Sequence, residues 1–172
     1  QITFPTQGDV SVVEPRTYLY YIQTQVSRPS DGVWVPYDEK TEASLLEDFK
    51  RLWATNFLDD LSIEVLDAPY DNGVMGKRIL YKLEERQRVK IVDYTGSKKL
   101  DQTKIEEKLK EENILIRLDS FIDPGQIRKV ESVVRSFMAS KGYQYAKVTH
   151  ELKPLPSGPK LVNLTFNVEE GP

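Results

Sequence analysis

The sequence predicts an α+β protein made of two tandem β-α-α-β-β domains, each a three-stranded mixed sheet covered on one face by helices. Two observations predict this class. The chain contains an internal repeat, and the second copy of the repeat shows a clear order of helical and strand periodicities. Its 172 residues, 39% hydrophobic and 30% charged, suffice for two small soluble domains.

The repeat relates two parts of the chain at an offset of 85 residues. Residues 45–86 align with residues 130–171 without a gap, and apolar positions coincide along the alignment. The coinciding pairs include Leu52 with Phe137, Ile63 with Val148, and Tyr81 with Phe166. We therefore expect a flexible leader over residues 1–14, a first domain over 15–87 and a second domain over 88–172.

Capping residues mark two helices in the second copy. Asp101 is placed to cap a helix that ends near Asn113, and Asp123 is placed to cap a longer helix with Pro124 at its first position. The longer helix carries apolar residues at spacings of three and four: Ile127, Val130, Val134, Phe137 and Met138. Gly142 follows it, where a left-handed residue is expected to end the helix.

Strand patterns flank these helices. A short strand is expected over residues 89–92 and a second over 145–152, and residues 162–168 alternate apolar and polar side chains as a third. The last two strands form a hairpin, and a right-handed crossover makes the first and third strands parallel. The third strand is therefore central, and the second lies at an edge of the sheet.

The first copy differs at its start. Residues 18–26 are expected to form its first strand, and the prolines and glycine within residues 27–40 leave its first helix short or absent. Trp53 falls at core spacing in the second helix, and Asn56 is the expected left-handed terminator. Trp34 has two open interpretations: it covers the sheet in place of the missing helix, or it is an exposed contact residue.

Composition excludes several functional classes. Without Cys and with His150 as its only His, the chain has no thiolate metal site and no cysteine nucleophile, and we expect no metal, no cofactor and no enzymatic activity. The net charge of −3 does not favour nucleic acid as a partner. His150 is expected to be an ordinary surface or half-buried residue on the edge strand.

Three motifs resemble those of the POTRA (polypeptide-transport-associated) family. Residues 55–63, TNFLDDLSI, are similar to its T-G-x-F-x-D-V-x-V. Residues 141–148, KGYQYAKV, are similar to its G-Y-x-x-A-x-V, and residues 168–172, VEEGP, are similar to its V-x-E-G-P ending. The first copy departs from the family pattern, with Asn56 in place of Gly and residues 85–87, ERQ, in place of Glu-Gly-Pro.

The resemblance, to tandem POTRA domains of BamA-type assembly factors, implies a periplasmic scaffold. Such a scaffold would bind unfolded outer-membrane β-barrel precursors and partner lipoproteins for insertion into the outer membrane. It also implies further POTRA domains and a membrane β-barrel after Pro172, through which the chain would be attached to the outer membrane.

An edge strand offers unpaired N–H and C=O groups to any extended peptide. The expected docking edges are therefore residues 61–66 and 146–152, represented by the following residues: Leu61, Ile63, Val65, Ala146, Val148 and His150. The alternative within the family is the POTRA arm of a two-partner secretion pore that exports one dedicated substrate. An enzyme and a cell-division POTRA protein are the remaining classes.

Overall fold

The computed structural model describes residues 1–172, except for the side chain of Pro159. The chain divides into two compact units, Gln1–Arg86 and Gln87–Pro172; the sequence placed this boundary one residue later. Each unit is a β-α-α-β-β domain with a three-stranded mixed sheet, so the predicted fold class is confirmed. No helix in the part of the chain that the structure describes is long and apolar enough to span a bilayer.

The first unit contains three strands and two α-helices. In chain order they are β1 (Ile2–Thr3), α1 (Pro15–Tyr21), α2 (Glu39–Ala54), β2 (Leu58–Pro69) and β3 (Met75–Glu85). The strand order is β1-β3-β2, with β1 parallel and β2 antiparallel to β3. A capping box between Asp38 and Thr41 begins α2, and Asn56, with a φ of 64°, follows it as predicted.

The second unit repeats this topology. Its elements are β4 (Arg88–Thr95), α3 (Gln102–Glu111), α4 (Pro124–Ser140), β5 (Lys147–Leu155) and β6 (Gly158–Glu169), and its strand order is β4-β6-β5. The predicted caps are confirmed, because the Asp101 side chain accepts from the N–H of Lys104, and that of Asp123 from the N–H groups of Gly125 and Gln126. A two-residue turn at 156–157 joins β5 to β6, so this hairpin is tighter than expected.

The expectation of a flexible leader over residues 1–14 is wrong. Ile2 and Thr3 pair with Tyr81 and Lys82 of β3, and Phe4 is buried in the core of the first unit. The first strand of this unit therefore lies at the start of the sequence. Pairing between residues 79 positions apart leaves no local signal in the sequence, which explains the error.

The strand expected over residues 18–26 is also wrong, because its first part belongs to α1. Pro15 occupies the first position of this seven-residue helix. Tyr18 is fully buried, and its ring lies 5.8 Å from that of Phe4 and 6.4 Å from that of Phe57. The first helix of the unit is thus short, as predicted, but it precedes the Pro- and Gly-rich segment instead of falling within it.

Candidate functional site

Two strands, β2 and β5, form corresponding edges of the two sheets. In the first unit, the backbone N–H of Tyr81 donates to the carbonyl of Gln1, at 2.8 Å, so the backbone groups of Tyr81 face β1. Tyr81 lies opposite Ile63 in the antiparallel β2–β3 pair. The N–H and C=O of Ile63 therefore point away from β3 to the open side, as do those of Val65, two residues further on.

The second unit has the same orientation. The carbonyl oxygen of Val168 is directed at Gly96, where a Cβ atom would approach it to 2.1 Å, so the backbone groups of Val168 face the β4 side. Val148 lies opposite Val168 in β5. By the alternation of an antiparallel ladder, the backbone groups of Val148 and His150 point to the open side of β5.

Two prolines are placed in agreement with these orientations. Pro69 in β2 and Pro154 in β5 are 85 residues apart and stand an even number of positions from Ile63 and Val148, at outward-facing sites. Proline is tolerated on an edge strand where the missing N–H would have faced solvent. Each proline blocks backbone pairing near the end of its edge strand, and about five residues before it remain free of proline.

The structure places the three predicted residues of the first edge on β2 with their side chains toward the helices. Leu61 is buried, and Ile63 and Val65 are partly buried against the core. The N–H of Leu61 is already used, since it donates to Oδ1 of Asp60 at 3.0 Å. The open segment of this edge therefore begins at Ile63.

The three predicted residues of the second edge have unequal positions. Val148 lies in β5 and is buried. Ala146 precedes the strand, and its N–H donates to the carbonyl of Tyr143 at 3.4 Å. His150 lies in β5, and its Nδ1 is 2.9 Å from Oε1 of Glu131 on α4.

The first unit has an apolar groove beside its open edge. Helix α2 packs against both α1 and β2. Its Arg51 side chain donates to the carbonyl of Tyr21 in α1, so the opposite side of the helix faces β2. At 100° per residue, that side carries Leu46, Phe49 and Trp53.

Trp53 was expected in the core, and that expectation is wrong: 50% of its surface is exposed, and 55% of that of Leu46. These two exposed side chains, with the partly buried Phe49, Ile63 and Val65, form an apolar surface next to the outward backbone groups of β2. We refer to these five residues as the β2 groove.

The corresponding groove of the second unit is more polar and more closed. The repeat offset places Glu131 where the first unit has Leu46, and Met138 where it has Trp53. Met138 is fully buried, and Glu131 pairs with His150 across the space between α4 and β5. The two edges therefore share the same backbone geometry but differ in side chains.

A buried carboxylate fixes α2 beside the sheet. Asp48 accepts from the backbone N–H of Gln23 at 2.8 Å and from the Tyr81 hydroxyl at 2.8 Å, and it also pairs with Thr24 and Arg51. Burial acts to raise its pKa, but these hydrogen bonds outweigh burial and hold the pKa of Asp48 below its usual range. Burial and the bond to Asp48 together raise the pKa of the Tyr81 phenol.

A second buried carboxylate, Glu85, holds the N-terminal segment. It accepts from the N–H groups of Val12 and Val13 at 2.7 and 2.9 Å, from the Tyr18 hydroxyl at 2.7 Å and from the Gln7 side chain at 2.9 Å. Neither Asp48 nor Glu85 was predicted from the sequence as a structural residue. The only indication in the sequence is that an acidic residue falls on the buried face of a helix, for Asp48, or at the buried end of a strand, for Glu85.

Trp34 fits neither of its two interpretations fully. It remains 48% exposed, and its ring packs edge-on against Tyr70 at 5.0 Å, at the tip of the β2–β3 hairpin. Among the described residues, no cluster of three or more His, Asp or Glu side chains could hold a metal ion.

The two units thus define a class: small sheet-and-helix domains in tandem, each with an open edge strand that is flanked by a helix. Residues 87–171 match the family model of POTRA, described as surface antigen variable number repeat. The match covers nearly the whole of the second unit, which is therefore similar to POTRA domains. The first unit repeats its element order and sheet order.

Solved structures that are similar to this chain include three from BamA and Omp85 proteins. POTRA3-5 of Haemophilus influenzae BamA is 17% identical, with 99% of this chain and 65% of that chain covered, at a TM-score of 0.43. The N-terminal domain of Omp85 from the cyanobacterium Thermosynechococcus elongatus is 18% identical, with 99% and 61% covered, at a TM-score of 0.42. POTRA4 of the same Haemophilus BamA is 18% identical, with 51% and 94% covered, at 0.41. No curated protein matches the chain.

Proposed function

We propose that this chain is a POTRA tandem and part of a periplasmic scaffold that transiently binds unfolded outer-membrane β-barrel precursors and partner lipoproteins for insertion into the outer membrane. It would do so by strand addition to β2 and β5, within a longer chain that carries further POTRA domains and a membrane barrel. The observation that carries the proposal is the recurrence of an outward-facing backbone edge, flanked by a helix, in both units.

Strand addition suits many clients because backbone pairing does not depend on side-chain identity. A barrel strand alternates apolar and polar residues, so one of its faces can contact the helix side of the sheet and the other can remain in water. The free part of each edge is short. A contact well below roughly 1,200 Å² predicts a Kd in the micromolar to millimolar range, which allows release.

The two edges are expected to differ in their affinity for client strands. The β2 groove presents exposed Trp53 and Leu46 to an incoming apolar side chain, whereas Glu131 and His150 pair across the second unit's groove. Aromatic and aliphatic anchors supply most of the affinity of a contact surface. We expect the first unit to bind apolar strands more tightly than the second.

A proline substitution tests the backbone pairing. Val65→Pro removes an outward N–H but none of the N–H groups that bond to β3, so the domain should fold. Titration of the ¹⁵N-labelled chain with a ten-residue barrel-strand peptide, followed by amide chemical shifts, should show loss of binding at β2 and unchanged binding at β5.

Leu66→Ser is the matched control, because Leu66 lies on the other face of the sheet and is 40% exposed. It should leave the affinity unchanged. The proposal is wrong if Val65→Pro is folded and binds the peptide as the unsubstituted chain does, or if the peptide shifts only helix amides.

A further inference from the structure

The second unit has an apolar groove beside β4, at the sheet edge opposite to β5. It lies between β4, α3 and residues 113–118, and its volume of about 810 Å³ falls within the usual range of small-molecule sites. Its apolar lining comes mainly from six residues: Ile91, Tyr94, Leu109, Ile114, Leu115 and Leu118. Leu115 and Leu118 are 58% and 60% exposed, so the groove is open to solvent along this loop.

The two ends of this groove differ in charge. Burial and the nearby Glu106 carboxylate raise the pKa of the Tyr94 phenol to about 12, so Tyr94 and Glu106 share one end and the phenol is uncharged there. Glu106 also accepts from the Gln102 side chain at 3.0 Å. Lys90 and Lys110 line the other end, since Lys90 precedes Tyr94 by four residues in β4 and Lys110 follows Glu106 by four in α3. One end is therefore acidic and the other is basic.

Lys110 supplies the free positive charge at the basic end. The ammonium group of Lys90 pairs with Asp119 at 3.0 Å, whereas Lys110 forms no ion pair among the described residues. A lysine at the rim of an apolar groove can lay its methylene stem along an apolar occupant and keep its ammonium group in water. Lys110 is thus placed to pair with an anionic group at the end of a chain that fills the groove.

We propose that this groove binds a fatty acid, with the acyl chain along Ile91 and Leu109 and the carboxylate at Lys110. The apolar lining takes the chain out of water, and the exposed leucines of the loop are covered at the same time. The difference in charge sets the orientation of the ligand, because Glu106 repels a carboxylate at one end and Lys110 attracts it at the other. The site does not depend on strand pairing at β2 and β5.

Other amphiphiles match the groove less well. A neutral alcohol fills the apolar part but leaves Lys110 without a partner. A cationic amphiphile would have to place its head group at Glu106, where the carboxylate already accepts a hydrogen bond from Gln102. A carboxylate at the basic end satisfies both the apolar surface and the free charge.

The first test varies the length of the ligand. The full ¹⁵N-labelled chain is titrated with octanoate, decanoate and dodecanoate, each below its micelle-forming concentration. The amides of residues 90–94 and 109–118 should shift, and the Kd should fall about two- to fourfold for each CH₂ group added. Equal Kd values across the series, or shifts spread over both units, would overturn the inference, because either result indicates adsorption to the surface.

Lys110→Gln tests the position of the carboxylate. It should raise the Kd of decanoate about threefold and leave the Kd of 1-decanol unchanged, since only the acid pairs with this exposed charge. Lys104→Gln is the matched control, because Lys104 lies on the same helix but does not line the groove. It should change neither Kd. If Lys110→Gln affects both ligands equally, or neither of them, the carboxylate does not bind at Lys110 and the inference is wrong.

The double variant Leu115→Ser, Leu118→Ser tests the apolar part of the site. Both side chains are more than half exposed, so the variant should keep its fold, which its amide spectrum reports. It should raise the Kd of decanoate and of 1-decanol alike, by about fivefold or more. A folded double variant that binds decanoate as the unsubstituted chain does would overturn the inference.

Two further outcomes identify other occupants. If phosphatidylcholine vesicles shift the amides of residues 109–118 and decanoate does not, the groove binds a membrane surface and the inference is wrong. If the chain dimerises without ligand, as measured by analytical ultracentrifugation, and the double variant does not, the occupant is a second copy and the inference is equally wrong. Decanoate shifts at this groove in a monomeric chain, reduced by Lys110→Gln, support it.

Discussion

Replacing Glu85 with Gln should destabilise the first unit strongly without unfolding the second. Glu85 is 2% exposed, and its two carboxylate oxygens accept four hydrogen bonds, two of them from the backbone N–H groups of Val12 and Val13. Glutamine keeps one of these oxygens and puts an NH₂ group in place of the other. At least one buried donor then faces another donor, and the charge that strengthened all four bonds is lost.

The magnitude follows from these contacts. A hydrogen bond to a charged group contributes about 1.5–3 kcal/mol, and a buried donor left unpaired costs about 1–3 kcal/mol. We expect a loss of about 3 kcal/mol in the free energy of unfolding of the first unit. A domain of this size has a total of roughly 4–13 kcal/mol, so the loss is a large fraction of it.

The repeat supplies the control. Glu170 occupies the position of Glu85 in the second unit and accepts a hydrogen bond from the Ser97 hydroxyl, so Glu170→Gln should cost no more than about 1.5 kcal/mol. Urea unfolding, with the amide signals of each unit followed separately by NMR, measures both losses. If Glu85→Gln and Glu170→Gln cost the same, or if Val12 and Val13 keep their exchange protection in Glu85→Gln, the reasoning about the N-terminal segment is refuted.

Three further predictions concern the core and the site. Gly96→Ala should cost the second unit at least about 2 kcal/mol in urea unfolding, because Gly96 has a φ of 101° and a Cβ atom would lie 2.1 Å from the carbonyl oxygen of Val168; an unchanged midpoint would contradict this. Because the pKa of Asp48 is lowered in the folded state, its ionised form stabilises the first unit fully above about pH 4, and this stabilisation is lost as the pH falls through the native pKa. Asp48→Asn should therefore have a lower free energy of unfolding at pH 7, and this free energy should fall less on acidification than that of the unsubstituted chain. Equal acid sensitivity of both chains would count against that assignment. Trp53→Ala should weaken peptide binding at β2 by about tenfold in calorimetric titration with little effect on folding, since Trp53 is 50% exposed, and an unchanged Kd would remove Trp53 from the site.

Local periodicity made much of the fold predictable. The longest apolar repeat in the chain, from Ile127 to Met138, became α4, and the hairpin order together with the right-handed crossover placed β3 and β6 in the centre of their sheets. These features depend on residues close in sequence or on rules of connection. The open edges followed directly from the predicted strand order.

The errors concern contacts between distant residues. Two sets of contacts hold residues 1–14 in the first unit: Ile2 pairs with Tyr81, and Val12 and Val13 donate to Glu85. Each joins residues more than 70 positions apart. Residues 1–14 therefore form part of the domain, although their composition resembles that of a flexible leader. No local pattern records such pairings.

Part of the site could have been found from the repeat itself. The alignment already set Leu46 against Glu131 and Trp53 against Met138, which indicates different surfaces at equivalent helix positions. The orientation of the backbone could not be found this way, because it depends on which residues of β2 and β5 oppose their partners. The two hairpins in fact differ by two residues in register relative to the repeat offset, since Leu61 pairs with Leu83 and Val148 with Val168.

Amide hydrogen exchange at single residues of β2 tests the central claim most directly. In the free chain, the outward N–H groups of Ile63 and Val65 should exchange quickly, and the inward N–H groups of Glu64 and Leu66 should be protected by β3. Saturation with a barrel-strand peptide should slow exchange at Ile63 and Val65 and leave the inward pair as it was. Fast exchange at both outward residues in the saturated complex would contradict strand addition at this edge.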